Sequence, residues 1–421
     1  MSNVRFCIFL LFLGAPIFVA AQVPEKTAAA KPDYSQEAAV IEQFTEKIKF
    51  ENDGTAIEEQ YARVRVQSDA GTQRYGLLTF PYASQAGPYE IQFVHVTKPD
   101  GTVVETTSDS IQDMPAEITR EAPFYSDLRQ KHVAVKGLGI GDVLEYKTVA
   151  RVTKPLAPGQ FWVDYTFTHD AILLHEQFEV TVPRDRTIQC KSPGSKPTIT
   201  EADAYRIYSW SSSSLAPEKK NEPVEQAKKA WEQARGRFPQ PDIQLSSFQS
   251  WDEVGRWYRN LQQDRIKPTP EIIAKATELT KGAADADAKI RAIYKYVSGQ
   301  FRYIGIAFGV GRYQPHSAAE VLSNQYGDCK DKHTLFAALL QAVGIQADPA
   351  LINTEREMDP EIPSPSQFNH VITVIPRADA LLWMDVTPEV APFQYLLPQL
   401  RDKHALVLRD DKPASDRKSV V

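Results

Sequence analysis

Three side chains in the last third of the sequence could together perform thiol chemistry: Cys329, His370 and Asp385. A cysteine nucleophile needs a base within hydrogen-bonding reach, and that base needs a group that fixes its orientation. A carboxylate can hold one imidazole nitrogen while the other nitrogen faces the thiol. The reaction such a set supports is acyl transfer through a thioester.

The cysteine is predicted to be the first residue of a buried helix. Asp328 is a candidate N-cap, apolar residues recur at helical spacing from Leu335 to Val343, and Gly344 stands where a C-terminal glycine belongs. The unpaired N–H groups and the positive dipole end at this position favour a thiolate over a thiol. Asp328 and Asp331 oppose this effect and Lys330 and Lys332 favour it, so the charges alone leave the balance open.

The histidine and the aspartate are predicted to meet on a β-hairpin. Two apolar runs, 369–375 and 381–386, flank the loop Pro376-Arg-Ala-Asp. If they pair around this four-residue loop, Ile375 lies opposite Ala380, and His370 lies opposite Asp385. Directly opposed residues of an antiparallel pair have Cβ atoms roughly 4.5–5.5 Å apart, which suits an imidazole–carboxylate contact.

Two other histidines are weighed against His370. His333 follows Cys329 by four residues and would share its helical face, so it is a rival base or half of a zinc site. Zinc takes about four ligands and no further Cys or clustered His supplies them, so we expect no metal and no cofactor. His316 follows Pro315 in a loop that could line the site, and exposure at the surface is the favoured interpretation.

The N-terminus resembles a secretory signal peptide. Arg5 precedes an apolar run from Phe6 to Ala20, and small residues lead to a cleavage site after Ala21. We therefore expect a bacterial exported protein, periplasmic or secreted, with no stable membrane anchor after cleavage. Cleavage removes one of 48 basic residues, against 54 acidic ones, so the mature charge is −7. This mild charge gives no support to a nucleic-acid partner.

Composition and periodicity divide the chain into segments. Short alternating apolar–polar runs separated by turn residues predict an all-β sandwich, and helical spacing followed by three β-like runs predicts an α+β domain. Only Cys190 and Cys329 remain after cleavage, and we expect them unpaired. The predicted segments are a signal peptide (1–21), a disordered leader (22–37), a β-sandwich domain (38–217), a helical linker region (218–266), the α+β domain (267–410) and a disordered tail (411–421).

Three motifs in the second domain carry a family resemblance: Tyr326-Gly-Asp-Cys-Lys-Asp-Lys, Phe368-Asn-His-Val and Trp383-Met-Asp-Val-Thr-Pro. In this order they resemble the bacterial transglutaminase-like superfamily, over about Thr269 to Pro388. The resemblance implies a papain-like cysteine protease core in which Cys329, His370 and Asp385 are nucleophile, base and orienting group. The preceding region, with its Gly141-Asp-Val-Leu-Glu-Tyr segment, is similar to a domain of unknown function found before such cores in exported bacterial proteins.

This resemblance implies a multidomain enzyme that acts on peptide or glutamine carboxamide bonds of a protein or peptide substrate. Hydrolysis, as a protease or amidase, is favoured over cross-linking because water outnumbers other acyl acceptors. The backbone N–H of Cys329 is one expected oxyanion donor, and the side-chain donor is left open among Tyr303, Gln314, Asn324 and Gln325. The alternative is an inactive transglutaminase-like scaffold whose β-sandwich domain recognises a ligand.

Overall fold

The N-terminal half of the chain consists mainly of strands, in which apolar and polar residues alternate. The computed structural model describes residues 34–125, 127–215, 238–306, 313–378, 380–409 and 415–418. The predicted signal peptide, residues 22–33 of the predicted leader and a predicted helix at 227–236 lie outside this part. The strands of this half are β1 (Ala39–Phe50), β2 (Ala56–Val66), β3 (Leu77–Ala83), β4 (Tyr89–Thr97), β5 (Val103–Glu105), β6 (Ile111–Pro115), β7 (Leu128–Ala134), β8 (Val143–Val152), β9 (Trp162–Tyr165), β10 (Leu173–Pro183), β11 (Gln189–Lys191), β12 (Thr198–Ala202), β13 (Tyr205–Ser214) and β14 (Ile243–Ser246).

These strands form one large mixed sheet and two small ones. The large sheet has the order β12-β13-β10-β1-β2-β8-β4-β5, in which β1 and β10 are parallel and the other pairs antiparallel. Val64 and Leu144 of this sheet pack against Phe80 of the sheet β3-β7-β6. Phe50 packs in the same way against Ile243 of the sheet β11-β14-β9. The predicted N-terminal all-β sandwich is confirmed.

The predicted helical linker region, 218–266, also contains a strand that the sequence did not indicate. Residues Ile243–Ser246 form β14, which lies between β9 and β11 in a three-stranded sheet. Ile243 and Leu245 are fully buried in the sandwich core. Four residues after Pro239 and Pro241 give too short an alternating pattern to be separated from a loop without the neighbouring strands. The predicted helix that follows is confirmed as Trp251–Gln262.

Helices build most of the second half, and their ends follow capping rules. The Thr269 side chain accepts the Ile272 N–H with Pro270 at the first helical position, and Asp285 accepts the Ala288 N–H. The helices among the described residues are α1 (Asp69–Tyr75), α2 (Ile118–Glu121), α3 (Trp251–Gln262), α4 (Pro270–Leu279), α5 (Ala286–Gln300), α6 (Ala318–Asn324) and α7 (Cys329–Ala342). No helix among the described residues is both long and apolar enough to cross a bilayer.

The second half also contains a five-stranded antiparallel sheet with the order β19-β18-β17-β20-β21. Its apolar core packs α4, α5, α6 and α7 together with side chains of β18 and β19. The strands of this half are β15 (Arg302–Tyr303), β16 (Tyr326–Gly327), β17 (Asp348–Ile352), β18 (His370–Pro376), β19 (Leu381–Met384), β20 (His404–Val407) and β21 (Ser415–Lys418). An α+β domain therefore follows the β-rich region, as predicted.

The predicted disordered tail at 411–421 needs a correction. Ser415–Lys418 forms β21, which pairs antiparallel with β20 at the edge of the five-stranded sheet. Pairing at an edge uses backbone groups, so a polar segment can join a sheet without the apolar pattern that would reveal it.

Charged side chains lie fully buried at the start of α7. Asp328, Lys330 and Asp331 have no exposed surface, and the Lys330 ammonium forms an ion pair with the Asp328 carboxylate. A buried ion is tolerated only when it is paired and hydrogen-bonded, because transfer from water costs several kcal/mol per charge. The buried Asp328 carboxylate therefore depends on Lys330.

We expect Lys330→Met to destabilise the protein by about 3–5 kcal/mol, because the buried Asp328 carboxylate loses its cation. Urea unfolding monitored by circular dichroism measures this loss. Lys275→Met is the matched control, since Lys275 lies on the surface of α4 and pairs with Glu278 one turn later. Exposed pairs contribute little, so the control should change stability far less. Equal midpoints for the two variants would contradict this account of the cluster.

Candidate active site

The sequence Gly327-Asp-Cys builds the N-terminus of α7. Cys329 is the first residue of this helix, and the Asp328 side chain accepts the Asp331 N–H at 3.2 Å, so the predicted N-cap is confirmed. A Cβ on Gly327 would lie 2.7 Å from the Cβ of Asp331, closer than real side chains approach. Glycine is therefore required two residues before the cysteine.

His370 and Asp385 are in direct contact. His370 is the first residue of β18, and its Nε2 lies 3.0 Å from Oδ2 of Asp385. The other carboxylate oxygen of Asp385 accepts the N–H of Thr387 at 2.9 Å and its hydroxyl at 2.8 Å. Asp385 is thus held from both sides, and its bond to Nε2 leaves Nδ1 of the imidazole for another partner.

The register predicted for this hairpin is wrong by two positions. Ile375 pairs with Leu382 instead of Ala380, and Pro376 pairs with Leu381 as the last residue of its strand. Proline cannot donate a ladder hydrogen bond, and a strand end tolerates this. Asp385 follows the last residue of β19 and is a diagonal neighbour of His370 instead of a direct one. The contact survives because a shift by an even number of residues keeps side chains on the same face.

Cys329 lies close enough to His370 to contribute to the pKa of its imidazole. Burial disfavours the charged imidazole, but the charge and hydrogen bond of Asp385, together with Cys329, outweigh it and raise the pKa of His370 to about 10. Burial would raise the pKa of Asp385, yet the imidazolium and Thr387 hold it below its ordinary value. The structure therefore places a cationic imidazole beside a carboxylate and close to a thiol at a helix N-terminus.

The three residues are enclosed. Cys329 has no exposed surface, Asp385 is 1% exposed and His370 is 6% exposed. Cys329 belongs to an apolar cluster that also contains Phe248 and Tyr258, with Trp162 and Trp257 packed against it. An acyl group can reach the sulfur only if part of this cluster moves.

His333 does not take part in this arrangement. Its Nδ1 lies 2.7 Å from Oγ1 of Thr373 on β18, and its buried Nε2 has no hydrogen-bond partner among the described residues. Burial lowers the pKa of His333 to about 3, so the ring is neutral.

No group of three His, Cys, Asp or Glu side chains among the described residues is placed to hold a metal ion. Cys190 and Cys329 are free thiols, and burial raises the pKa of Cys190 to about 11.

The expectation that His316 is a surface residue is wrong. The ring Nδ1 of His316 lies 3.0 Å from Oδ2 of Asp331, and its backbone N–H donates to Oδ1 of Asp331 at 2.8 Å. Its side chain is 27% exposed. Together with Lys330, His316 holds the pKa of Asp331 below its ordinary value against the effect of burial. His316 thus supports the first turn of α7.

Sequence reasoning missed Tyr125, which reaches the helix from the β-rich region. Its hydroxyl accepts the backbone N–H of Asp328 at 2.7 Å and donates to Oδ2 of Asp331 at 2.7 Å. Tyr125 ends a 3₁₀ turn, Pro123–Tyr125, about 200 residues before the cysteine. No local pattern links such distant positions, so only the tertiary structure could identify it.

The four candidate side-chain oxyanion donors occupy different places. Gln314, Asn324 and Gln325 are exposed, and the amide of Asn324 donates to Glu320 O at 2.8 Å. Tyr303 pairs with Gly327 in the short parallel ladder of β15 and β16, and it packs against the cluster that contains Cys329. Burial and the nearby Cys329 raise the pKa of Tyr303, so its hydroxyl remains a donor. The structure thus places Tyr303 beside the cysteine.

Comparison with protein families assigns both halves of the chain. Residues 52–219 match the domain of unknown function DUF3857, and residues 273–385 match the transglutaminase-like superfamily. The second match begins within α4 and ends at Asp385. The chain is therefore a DUF3857 domain followed by a transglutaminase-like core, and no curated protein matches its sequence.

Solved structures include a match over nearly the full described chain. A "putative protease" from Parabacteroides distasonis is 14% identical, with a TM-score of 0.73 over 91% of this chain and 72% of that one. A "putative cysteine protease" from Cytophaga hutchinsonii is 13% identical, with a TM-score of 0.25 over 62% of this chain and 80% of that one. An M1 zinc metallopeptidase from Deinococcus radiodurans is 8% identical, with a TM-score of 0.26 over 50% and 42%. The first likeness supports the fold, and chemistry has to be argued from the site.

Because His333 is buried as a neutral ring, the free energy of unfolding depends on pH in a predictable direction. In the unfolded chain a histidine has its ordinary pKa of about 6.5, whereas folded His333 has a pKa of about 3. Below pH 6.5 the unfolded state therefore binds a proton that the folded state cannot, and stability falls with falling pH. Between about pH 7.5 and 5.5, we expect wild type to lose about 1.4 kcal/mol more than His333→Gln.

Urea unfolding at the two pH values measures this difference. The comparison is made within each protein, so a uniform loss of stability in the variant cancels. An identical pH dependence in wild type and His333→Gln would show that the folded imidazole accepts a proton.

Proposed function

We propose that this chain, a DUF3857 domain followed by a transglutaminase-like core, is an exported cysteine acyl-transfer enzyme. Its substrate would be a peptide bond or a glutamine carboxamide of a protein or peptide. The observation that carries the proposal is the contact of His370 with Asp385 at 3.0 Å beside the thiol of Cys329. The predicted signal peptide supports export, to a periplasm or out of the cell, and the mild negative charge gives no support to a nucleic-acid partner.

In this mechanism Cys329 attacks the carbonyl carbon as a thiolate. His370 carries the proton, and with its pKa raised to about 10 it remains protonated across neutral pH. It donates this proton to the departing amine or ammonia as the C–N bond breaks, which leaves an acyl-thioester on Cys329. Water then attacks the thioester with neutral His370 as base and releases the acid, or an amine attacks and forms a new amide.

Two groups are candidate donors to the oxyanion of the tetrahedral intermediate. The N–H of Cys329 belongs to the first turn of α7, where helical N–H groups have no intrahelical acceptor. The Tyr303 hydroxyl is the side-chain candidate that lies in the same cluster as the sulfur. Oxyanion donors of this kind are worth about 10²–10³ in rate.

A second reading has one observation in its favour, which is the burial of Cys329. An inactive transglutaminase-like scaffold, with ligand recognition by the β-sandwich domain, would need no route to the sulfur. The two readings differ in the reactivity of the thiol, since a structural cysteine is inert whereas a paired thiolate is alkylated whenever its cover opens.

Alkylation by iodoacetamide near neutral pH should modify Cys329 and leave Cys190 largely unmodified, because burial raises the pKa of Cys190 to about 11. Peptide mapping by mass spectrometry gives the rate at each thiol. His370→Ala should slow modification of Cys329 far more than His333→Gln. His333 lies on the same helix as Cys329, but its ring is bonded to Thr373 on β18. Equal, slow modification in all three proteins would favour the scaffold.

Hydrolysis and amine transfer are separated with a glutamine-containing protein, incubated with and without a primary amine. We expect ammonia release or new N-termini without the amine, little gain of mass when it is added, and no reaction in Cys329→Ala. The reason is that water is present in large excess and competes for the thioester. Stoichiometric incorporation of the amine in place of hydrolysis would show that the enzyme is a transferase.

A further inference from the structure

The β-rich region contacts the segment that carries the cysteine. The Tyr125 hydroxyl bridges the N–H of Asp328, the residue before Cys329, and the carboxylate of Asp331 in the first helical turn, both at 2.7 Å. Tyr125 is 2% exposed. Burial and the two carboxylates raise its pKa, so the hydroxyl stays protonated and keeps both bonds. The N-terminus of α7 is therefore held by a group from outside the core.

Apolar packing supports the same contact. Ala122, Tyr125 and Leu128 of the β-rich region share a cluster with Ile304 and Ile306 of the core. These core residues directly follow β15, which pairs with β16 just before the cysteine. The segment that presents Tyr125 is therefore fixed on the core by buried side chains as well as by the hydroxyl.

The β-rich region also contacts the segment that leads to the histidine. Asp164 on β9 accepts Arg356 Nη2 at 2.6 Å and the Ser366 hydroxyl at 2.8 Å. Arg356 in turn donates to the carbonyl of Ser366 at 2.8 Å. Ser366 lies four residues before His370, so Asp164 fixes both ends of the loop from which β18 begins.

A second set of bonds holds this loop against the same region. Lys191 on β11 donates to Asp359 and to Glu361, each at 2.6 Å. The Ser246 hydroxyl on β14 donates to the carbonyl of Pro363 at 2.6 Å. The whole loop between β17 and β18 is thus bonded to strands of the sheet β11-β14-β9.

We propose that the β-rich region positions the catalytic pair, with Tyr125 holding the cysteine helix and Asp164 holding the segment that precedes the histidine. This inference rests on the proposed function. Cys329 and His370 lie on two elements of the core, and the bonds of Tyr125 and Asp164 reach each element within four residues of the reacting side chain. Catalysis is sensitive to such placement, since an error of about 1 Å far from the chemistry can cost about 10²-fold in rate.

The experiment uses the full chain and four variants. Tyr125→Phe and Asp164→Asn remove the positioning bonds. Tyr165→Phe is the control for the first, because Tyr165 is similarly buried and donates to Glu176 at 2.8 Å within the β-rich region. Asp113→Asn is the control for the second, because Asp113 accepts from Arg129 at 2.9 Å within the same region. The readouts are kcat and KM on the glutamine-containing protein, the pH profile of Cys329 alkylation, and the melting temperature.

We expect Tyr125→Phe and Asp164→Asn to lower kcat about tenfold to a hundredfold with little change in KM. Both should also move the rise of Cys329 alkylation to higher pH, because a misplaced imidazolium no longer stabilises the thiolate. The two controls should keep the wild-type kcat and pH profile even where their melting temperatures fall. A role in stability alone would lower the melting temperature without moving the profile.

The inference is overturned if Tyr125→Phe and Asp164→Asn match their controls in kcat and in the alkylation profile. Failure of the proposed function is a different result, in which wild type shows no Cys329-dependent turnover. The alkylation profile needs no substrate, so it still decides whether the β-rich region sets the thiol–imidazole geometry.

Discussion

The cost of burying charge is the constraint on which the transglutaminase-like core depends. Asp328, Lys330, Asp331 and Asp385 are ionisable side chains with at most 1% of their surface exposed. Such groups stay charged only where each meets an opposite charge or a hydrogen-bond donor. The Gly-Asp-Cys-Lys-Asp segment meets this requirement internally, through the Lys330–Asp328 pair, and externally, through His316 and Tyr125. The cysteine is held in the middle of a network that no single element could complete.

The same cost gives two buried histidines opposite charge states. His333 and His370 both lose their hydration, and burial alone favours the neutral ring in each. His333 has only the Thr373 hydroxyl, and its pKa falls to about 3. His370 has the Asp385 carboxylate and the thiol, and its pKa rises to about 10. Proximity in sequence to the cysteine therefore does not decide which histidine can donate a proton, whereas a carboxylate partner does.

Local chemistry explains what could be predicted from the sequence. N-caps at Thr269, Asp285 and Asp328, and alternating patterns such as the one in β4, depend on neighbouring residues alone. The hairpin of β18 and β19 also forms between nearby residues. Its register, however, depends on the position of Pro376, which is the last residue of β18. The contact of His370 with Asp385 was predicted despite this error because it needed only the correct face. Tyr125 and β14 were not predictable, since each owes its place to partners far away in the sequence.

The division of the chain into two sequence families does not correspond to a division of labour at the site. A DUF3857 domain and a transglutaminase-like core are matched separately, over 52–219 and 273–385. Yet Tyr125 completes the hydrogen bonding of the first turn of α7, and Asp164 neutralises Arg356 beside the loop that precedes His370. A core cut from this region would expose the side chains that pack on Tyr125 and leave the buried Asp331 carboxylate without one of its donors. Because unmet buried carboxylates are costly, the isolated core would have to rearrange at the helix that carries the cysteine. Residues from both the DUF3857 domain and the transglutaminase-like core therefore form the site and its support.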